Sequence, residues 1–168
     1  MANNIEIERK LLVEMPDVEV LKKQSGYNAS FIEQIYISLE SNGEYVGDRI
    51  RKREYEFATK YYRTHKEDIT KMSRLEIENE ISAEEYNRLA VHRVEDSCII
   101  RKVRHCFNYM NQLVEVDIYD FWSDKAVVEV EIEDEQQKVV LPDFIRVIED
   151  VTMDKSYSNY SLSLSVKR

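Results

Sequence analysis

The segment Ile5-Glu6-Ile7-Glu8-Arg9-Lys10-Leu11-Leu12-Val13 alternates apolar and charged side chains near the start of the chain. Because successive side chains of a strand point to opposite faces, Glu6, Glu8 and Lys10 share one face. Carboxylates roughly 6.5 Å apart on that face repel by about 2.5 kcal/mol at an effective dielectric constant near 20. On a solvent-exposed surface this repulsion is easily accommodated, whereas an enclosed site requires a cation between the carboxylates. A hard divalent ion with oxygen ligands suits that position, and Lys10 would meet the anion that the metal holds.

The same alternation returns along the chain and predicts further strands. The predicted strands are 4–14, 30–39, 45–53, 55–62, 73–81, 97–107, 112–121 and 126–133. The Asn-Gly turn at 41–44 and the other short connections favour hairpins, and hairpins build antiparallel sheets. Eight such strands usually close into a barrel or fold into a sandwich. The sequence therefore predicts an α+β fold that is mainly antiparallel β, in one domain spanning residues 1–168.

Outside the strands, the chain carries helix and loop signals. Ser82 and Glu85 form a capping box that predicts a helix ending near Arg93. A short helix is expected over 17–23, a polar loop over 64–70, and short helical pieces from Pro142 onward. The C-terminal residues with large apolar side chains are expected to dock on the sheet and close one end: Tyr157, Tyr160, Leu162 and Leu164.

Composition limits the classes of function. The 168 residues carry a net charge of −9, which argues against binding duplex DNA or long RNA through a general basic surface. A hydrophobic fraction of 43% and a charged fraction of 34% indicate a globular protein, and no signal peptide or membrane-spanning stretch is expected. Cys98 and Cys106 lie about 26 Å apart if their strand is continuous, beyond disulfide reach. We therefore predict a cytoplasmic protein with reduced thiols and with no nucleic-acid or membrane partner.

The charged faces of the predicted strands are sorted by sign. The strands at 45–53 and 97–107 are basic, while those at 73–81, 112–121 and 126–133 are acidic. Facing outward, rows of like charge would reduce stability without gain. Facing into a closed barrel, they would form an acidic wall for a divalent metal and a basic wall for the phosphates that the metal bridges. An ordinary sheet with a solvated charged face and a buried apolar face is the alternative that patterning leaves open.

An ordered set of motifs resembles the CYTH domain proteins, also called triphosphate tunnel metalloenzymes, along nearly the whole chain. The set comprises Glu6-x-Glu8-x-Lys10, Arg49-x-Arg51, Lys60, Glu76-x-Glu78, Lys102-x-Arg104, Glu115-x-Asp117, Glu129-x-Glu131 and the segment 150–159. The resemblance implies a closed eight-stranded antiparallel β-barrel that forms a tunnel, with helices outside. It also implies Mg²⁺ or Mn²⁺ as cofactor. The insert at 63–72 departs from the compact loop of the family.

The resemblance also implies roles for individual residues. The implied metal ligands are Glu6, Glu8, Glu129 and Glu131, and further acidic lining comes from Glu76, Glu78 and Asp117. The implied phosphate ligands are Lys10, Arg49, Arg51, Lys60, Lys102 and Arg104. Lys102 and Tyr36 match the lysine and tyrosine pair that is proposed to help activate water in small bacterial members.

The leading functional prediction is metal-dependent hydrolysis of inorganic tripolyphosphate to pyrophosphate and phosphate. The alternatives are a class IV adenylate cyclase, a thiamine or nucleoside triphosphatase, and a non-catalytic polyphosphate- or nucleotide-binding module. No residue set in the sequence is assignable to a base pocket, which favours hydrolysis over cyclisation. The predicted partner is a small triphosphate, and the chain is expected to be a monomer or a homodimer.

Overall fold

The computed structural model describes residues 4–39, 48–68 and 73–166, and for residues 4–6, 66–68 and 73–75 it describes the backbone alone. The predicted turn at 41–44 lies outside these residues. The strands are β1 (Asn4–Glu14), β2 (Asn28–Ile37), β3 (Asp48–Glu54), β4 (Thr59–Asp68), β5 (Ser73–Ile81), β6 (Ile100–Tyr109), β7 (Gln112–Tyr119), β8 (Lys125–Glu131) and β9 (Val147–Asp150). The helices are α1 (Val18–Leu21), α2 (Ala83–Ala90) and α3 (Asn159–Ser165), with a 3₁₀ turn at Lys155–Tyr157.

The nine strands form one antiparallel sheet in the order β5-β4-β3-β2-β6-β7-β8-β1-β9. The predicted α+β, mainly antiparallel fold is therefore confirmed. The predicted closure into an eight-stranded barrel is not, because this order is open and a ninth strand, β9, lies at one end. A further antiparallel pairing joins residues 4–7 of β1 to residues 73–76 of β5. β9 pairs with β1 further along, at residues 11–13.

The register places the charged positions of neighbouring strands on the same side of the sheet. Arg51 of β3 lies opposite Gln34 of β2 and Tyr62 of β4. Arg104 of β6 lies opposite Asp117 of β7 in the same way. Because directly opposed residues of antiparallel strands share a face, these side chains lie on one side, which we call the charged face.

The opposite side of the sheet, the apolar face, carries most of the aliphatic core. One cluster joins Val13 of β1, Phe107 of β6 and the buried valines of β7 and β8 to Leu21 of α1 and Ile145. A second joins Ile35, Ile37 and Ile50 to Tyr86 and Leu89 of α2. Helices α1 and α2 thus cover the apolar face from outside, and burying these side chains stabilises the fold at roughly 25 cal/mol per Å².

Most strand boundaries lie a few residues from the predicted ones, and two stretches of strand, the end of β4 and all of β9, depart from the sequence prediction in kind. β4 continues to Asp68, so most of the predicted polar loop 64–70 is strand, and residues 69–70 lie outside the described part. β5 supplies an antiparallel partner along this whole stretch, which overrides the polar composition. The sequence predicts short helical pieces from Pro142 onward, but β9 is an exposed strand, and three of its four residues, Val147, Glu149 and Asp150, pair with β1. In both cases the partner strand, rather than local propensity, decides the conformation.

The capping box is confirmed. Ser82 is the N-cap of α2 and its hydroxyl accepts a hydrogen bond from the Glu85 backbone amide at 3.0 Å. The helix ends at Ala90, three residues before the predicted Arg93. No helix in the described part of the chain is long and apolar enough to cross a membrane.

Candidate active site

The strand register puts every predicted site residue at a position on the charged face. These positions are Glu6, Glu8, Lys10, Tyr36, Arg49, Arg51, Lys60, Glu76, Glu78, Lys102, Arg104, Asp117, Glu129 and Glu131. The side chain of Glu6 lies outside the described part of the structure. Lys102 and Asp117 are 2% and 0% exposed although they bear charge. The charged face is therefore enclosed around these residues, and the alternative of a solvated charged face does not hold for them.

Arg104 holds three carboxylates together. Its Nε and Nη2 donate to the two oxygens of Asp117, each at 2.7 Å. Its Nη1 donates to Glu115 and its Nη2 also donates to Glu129. Arg104 thus has a carboxylate partner for each of its three nitrogens. Burial by itself lowers the pKa of the guanidinium, but the neighbouring carboxylates outweigh burial and raise that pKa above its ordinary value. In this arrangement Arg104 holds the carboxylates of the acidic wall in place. To contact a phosphate, it would have to break one of these ion pairs.

Lys102 is buried beside the same acidic group. Its Nζ donates to Asp117 and lies 5.4 Å from the centre of the Tyr119 ring. Burial lowers the pKa of the Lys102 amine to about 8, although the charges of Asp117 and Glu129 favour its protonated form. The neutral form of this lysine is a minority at pH 7 and increases as the pH rises through 8, and in that form the amine can accept a proton.

Lys10 links the first strand to the acidic wall. Its Nζ lies 3.0 Å from Glu129 and 3.5 Å from Glu8. Burial opposes ionisation of Glu129, but Lys10 and Arg104 outweigh it and hold the pKa of that carboxyl well below its usual range. Glu129 is therefore ionised and already bridges two cations.

Arg49 and Arg51 form the basic wall on β3. Arg49 contacts Glu76 at 3.4 Å, and Arg51 contacts Glu78 at a long 3.8 Å. The Nε group of each arginine is buried without a hydrogen-bond partner. Burial, followed by the neighbouring cations Arg49 and Arg104, lowers the pKa of Arg51 to about 9. This corner of the charged face thus has hydrogen-bond donors and positive charge that the described carboxylates do not fully satisfy.

Tyr36 and Gln34 lie beside the basic wall on β2. The Gln34 amide Nε2 donates to the Tyr36 hydroxyl at 2.7 Å. Burial raises the pKa of the Tyr36 phenol, against the charges of Arg49 and Lys10. β1 pairs with β5 although seven places separate these strands in the sheet order, so the sheet curls around the charged face. The predicted pair of Lys102 and Tyr36 lies on this face. The described hydrogen bonds do not join the two: Lys102 donates to Asp117, and Tyr36 accepts from Gln34. Gln34 was missed by the motif analysis, because a neutral residue in an alternating strand carries no charge signal.

The two ends of the charged face differ. At one end, α3 and the segment before it pack on the sheet: the Tyr119 hydroxyl donates to Asn159 at 2.6 Å, and Tyr160 contacts the Tyr36 ring edge-on at 5.1 Å. Leu162 joins an apolar cluster there, although Leu164 is exposed. At the other end, Lys60 pairs with Glu80 at 3.2 Å and both side chains are about half exposed. The C-terminal segment therefore covers one end as predicted, and Lys60 lies at the rim rather than in the buried part.

The carboxylates suit a hard divalent cation in their chemistry. Glu8 lies directly opposite Glu131, and Glu129 follows on the same face of β8. Like charges in direct cross-strand register favour a bridging cation, and carboxylate oxygens are the ligands that Mg²⁺ and Mn²⁺ prefer. Among the side chains that the structure describes, no three acidic, histidine or cysteine groups converge on one point. The donor set fits such an ion, with ligands that at present pair with Lys10 and Arg104.

Comparison with known proteins places this architecture. Neither a protein-family profile nor a curated protein sequence matches the chain. The crystal structure of the inorganic triphosphatase NE1496 aligns with 100% of this chain and 99% of its own, at 28% identity and a TM-score of 0.60. The PH1819 protein of Pyrococcus horikoshii OT3 covers 77% of this chain and 80% of its own at 19% identity, with a TM-score of 0.56. A candidate adenylate cyclase of Bacillus halodurans covers 80% and 84% at 16% identity, with a TM-score of 0.51. The last two matches bear on the fold alone.

These neighbours confirm the resemblance that the motifs predicted, at the level of the fold. The chain has a fold of the CYTH, or triphosphate tunnel metalloenzyme, type. Among the matching structures, that of the inorganic triphosphatase NE1496 corresponds to this chain from end to end.

Proposed function

We propose that this protein is a divalent-metal-dependent triphosphatase that hydrolyses inorganic tripolyphosphate to pyrophosphate and phosphate. The observation that carries the proposal is the pair of buried, unpartnered Nε donors of Arg49 and Arg51 on the same enclosed face as an acidic wall. Phosphate oxygens accept hydrogen bonds and carry negative charge, so they would pair with both the unpartnered Nε donors and the positive charge of Arg49 and Arg51. The name and end-to-end match of NE1496 support the same activity.

The proposal includes a closed tunnel. The short pairing of β1 with β5 joins the two strands that would complete an eight-stranded ring. A sheet closed in this way would surround the charged face on all sides, while α3 covers one end. The triphosphate would then enter from the rim that carries Lys60 and Glu80.

In this mechanism the basic wall binds and orients the triphosphate. Arg49, Arg51 and Lys10 neutralise charge on its phosphoryl oxygens, which is the main source of catalysis in phosphoryl transfer. Arg104 keeps Glu115, Asp117 and Glu129 in place. The residues that would hold the metal are Glu6, Glu8, Glu129 and Glu131. When bound, the ion would supply charge neutralisation and a more acidic water.

Lys102 accepts the proton in the hydrolytic step. The water oxygen forms a bond to the terminal phosphorus, the bridging phosphorus–oxygen bond breaks, and pyrophosphate leaves with its electron pair. The neutral amine of Lys102 takes one proton from the water. The Tyr36 hydroxyl donates a hydrogen bond inside the proposed tunnel. The Asp117 carboxylate keeps the amine in place during the transfer.

The value of kcat/KM is expected to rise with pH up to about pH 8 and to level off above it. Burial lowers the pKa of Lys102 to about 8, so its neutral, proton-accepting form grows through that range. The measurement is kcat/KM for tripolyphosphate between pH 6.5 and 9.5 at fixed metal concentration, since kcat/KM reports the free enzyme. The variant Lys102→Arg stays protonated and should lose this limb while keeping any limb that belongs to the substrate. An unchanged limb in the arginine variant would exclude Lys102 as the base.

A substrate panel tests the function itself. Tripolyphosphate, ATP and thiamine triphosphate are each incubated with Mg²⁺ or Mn²⁺, while phosphate release and cyclic AMP are measured. We expect phosphate release to be fastest with tripolyphosphate and no cyclic AMP to form. Cyclic AMP from ATP would identify a cyclase instead. Binding of tripolyphosphate without turnover under every metal would identify a non-catalytic binding module.

A further inference from the structure

Gln34 is a neutral side chain buried among the charges of the proposed site. It is 0% exposed and lies directly opposite Arg51 on β3 and Ile100 on β6. Its Nε2 donates to the Tyr36 hydroxyl, but its Oε1 is buried without a hydrogen-bond partner. A buried acceptor left unpaired loses the hydrogen bond that it makes with water in the unfolded chain, so a ligand that supplies a donor there is favoured.

The chemistry of the site restricts that ligand. The ionised oxygens of a triphosphate only accept hydrogen bonds, so they match the arginine Nε groups and not the Gln34 carbonyl. A water molecule both donates and accepts, and it can bridge a carbonyl oxygen to the space next to a phosphate. The Gln34 Oε1 is thus matched to water, whereas the other buried unpaired groups among the described residues, the Nε groups of Arg49 and Arg51, are matched to phosphate.

We propose that Gln34 binds and orients the attacking water, an inference that rests on the proposed triphosphatase function. Its carbonyl oxygen accepts one hydrogen of the water and aims the water oxygen at the terminal phosphorus. Its amide donates to the Tyr36 oxygen, which leaves the phenolic hydrogen directed away from Gln34. Gln34 itself gains and loses no proton: the water proton passes to Lys102 and the leaving electron pair to pyrophosphate.

The test replaces Gln34 by methionine, which preserves length and removes both hydrogen-bonding groups. For Gln34→Met we expect kcat for tripolyphosphate to fall about 10–100-fold, because a misplaced nucleophile loses most of its near-attack geometry. We expect KM, and the Kd of the non-hydrolysable imido analogue of tripolyphosphate, to change less than about two-fold, since the phosphate contacts remain. Thermal unfolding reports whether the variant folds, and Gln34→Leu serves if it does not.

The matched control is Gln112→Met, in the β6–β7 hairpin. Its amide exchanges hydrogen bonds with the Val140 backbone, at 2.8 and 3.3 Å, outside the proposed site. This variant should keep kcat and KM within about two-fold, because it removes hydrogen bonds without touching the charged face.

A double variant separates direct from indirect action. If Gln34 holds water itself, Gln34→Met lowers kcat further in a Tyr36→Phe background. No further loss in that background would mean that Gln34 acts only through Tyr36, and would overturn the proposal. An unchanged kcat, or a raised KM with unchanged kcat, would overturn it as well. Failure of the proposed function is visible separately, as a wild-type protein that hydrolyses no triphosphate, and that result removes the water site too.

Discussion

Replacing Asp117 by asparagine is expected to lower the free energy of unfolding by about 3–5 kcal/mol, because Lys102 and Arg104 would stay buried without their shared counterion. In a chain of this size the loss corresponds to a fall in Tm of roughly 6–20 °C. Burial by itself raises the pKa of the Asp117 carboxyl, but Arg104 and Lys102 outweigh it and hold that pKa below its usual range.

The sign of the pH dependence follows from that lowered pKa. The stability that Asp117 contributes is present above the pKa of an unfolded aspartate, about 3.9, and is lost as the pH falls through the lower folded value. Chemical denaturation at neutral and acidic pH measures both effects, and the asparagine variant should lose less stability in acid than the wild type.

The control for Asp117 is an exposed ion pair. Lys22 and Glu19 lie 2.7 Å apart on the surface with 49% and 70% of their side chains exposed. Glu19→Gln should therefore lower the free energy of unfolding far less than Asp117→Asn does, because solvent screens this pair. Equal, small losses in Glu19→Gln and Asp117→Asn would contradict the idea that the buried network stabilises the fold.

Arg51→Ala is expected to reduce kcat/KM for tripolyphosphate about 100–1000-fold, the effect of removing one donor from a preorganised charge-stabilising site. The fold should survive. Arg51 has only a long contact with Glu78, and burial lowers its pKa to about 9, so its charged form is disfavoured in the folded state. The Tm of Arg51→Ala is therefore expected to equal or exceed that of the wild type, because Arg51 serves binding and lowers the stability of the fold.

Lys52 provides the matched control for Arg51. It follows Arg51 on β3, points to the opposite face, and contacts Glu54. Lys52→Ala should leave kcat/KM within about two-fold of the wild type, as expected for an exposed pair away from the site. Near-normal turnover in Arg51→Ala, or an equal loss in Lys52→Ala, would remove the basic wall from the mechanism.

Local sequence signals predicted the elements that depend on local interactions. The Ser82 capping box marks the start of α2, and the alternation around Glu8 and Lys10 marks β1 and its two faces. The same signals failed where a remote partner decides. The polar end of β4 is strand because β5 lies beside it, and β9 is strand because β1 offers an edge.

The same distinction between local signals and remote partners applies to the charged residues. The motifs imply a phosphate-binding role for Arg104, which stays a prediction, and only the fold reveals the carboxylates of β7 and β8 that surround it. They identified Lys102 but not the pKa that burial gives it. They contain no sign of Gln34, whose unpaired oxygen exists only because neighbouring strands exclude water from it.

The amino-acid sequence by itself determined which side chains share a face, because a strand has a period of two and the charges obey it. Only the tertiary structure decided that this face is the enclosed one and which charges meet there. The physical reason is the distance along the chain between partners: residues 4–7 pair with 73–76, and Lys10 meets Glu129. Contacts of that separation are set by how the whole sheet curls, which no local pattern encodes.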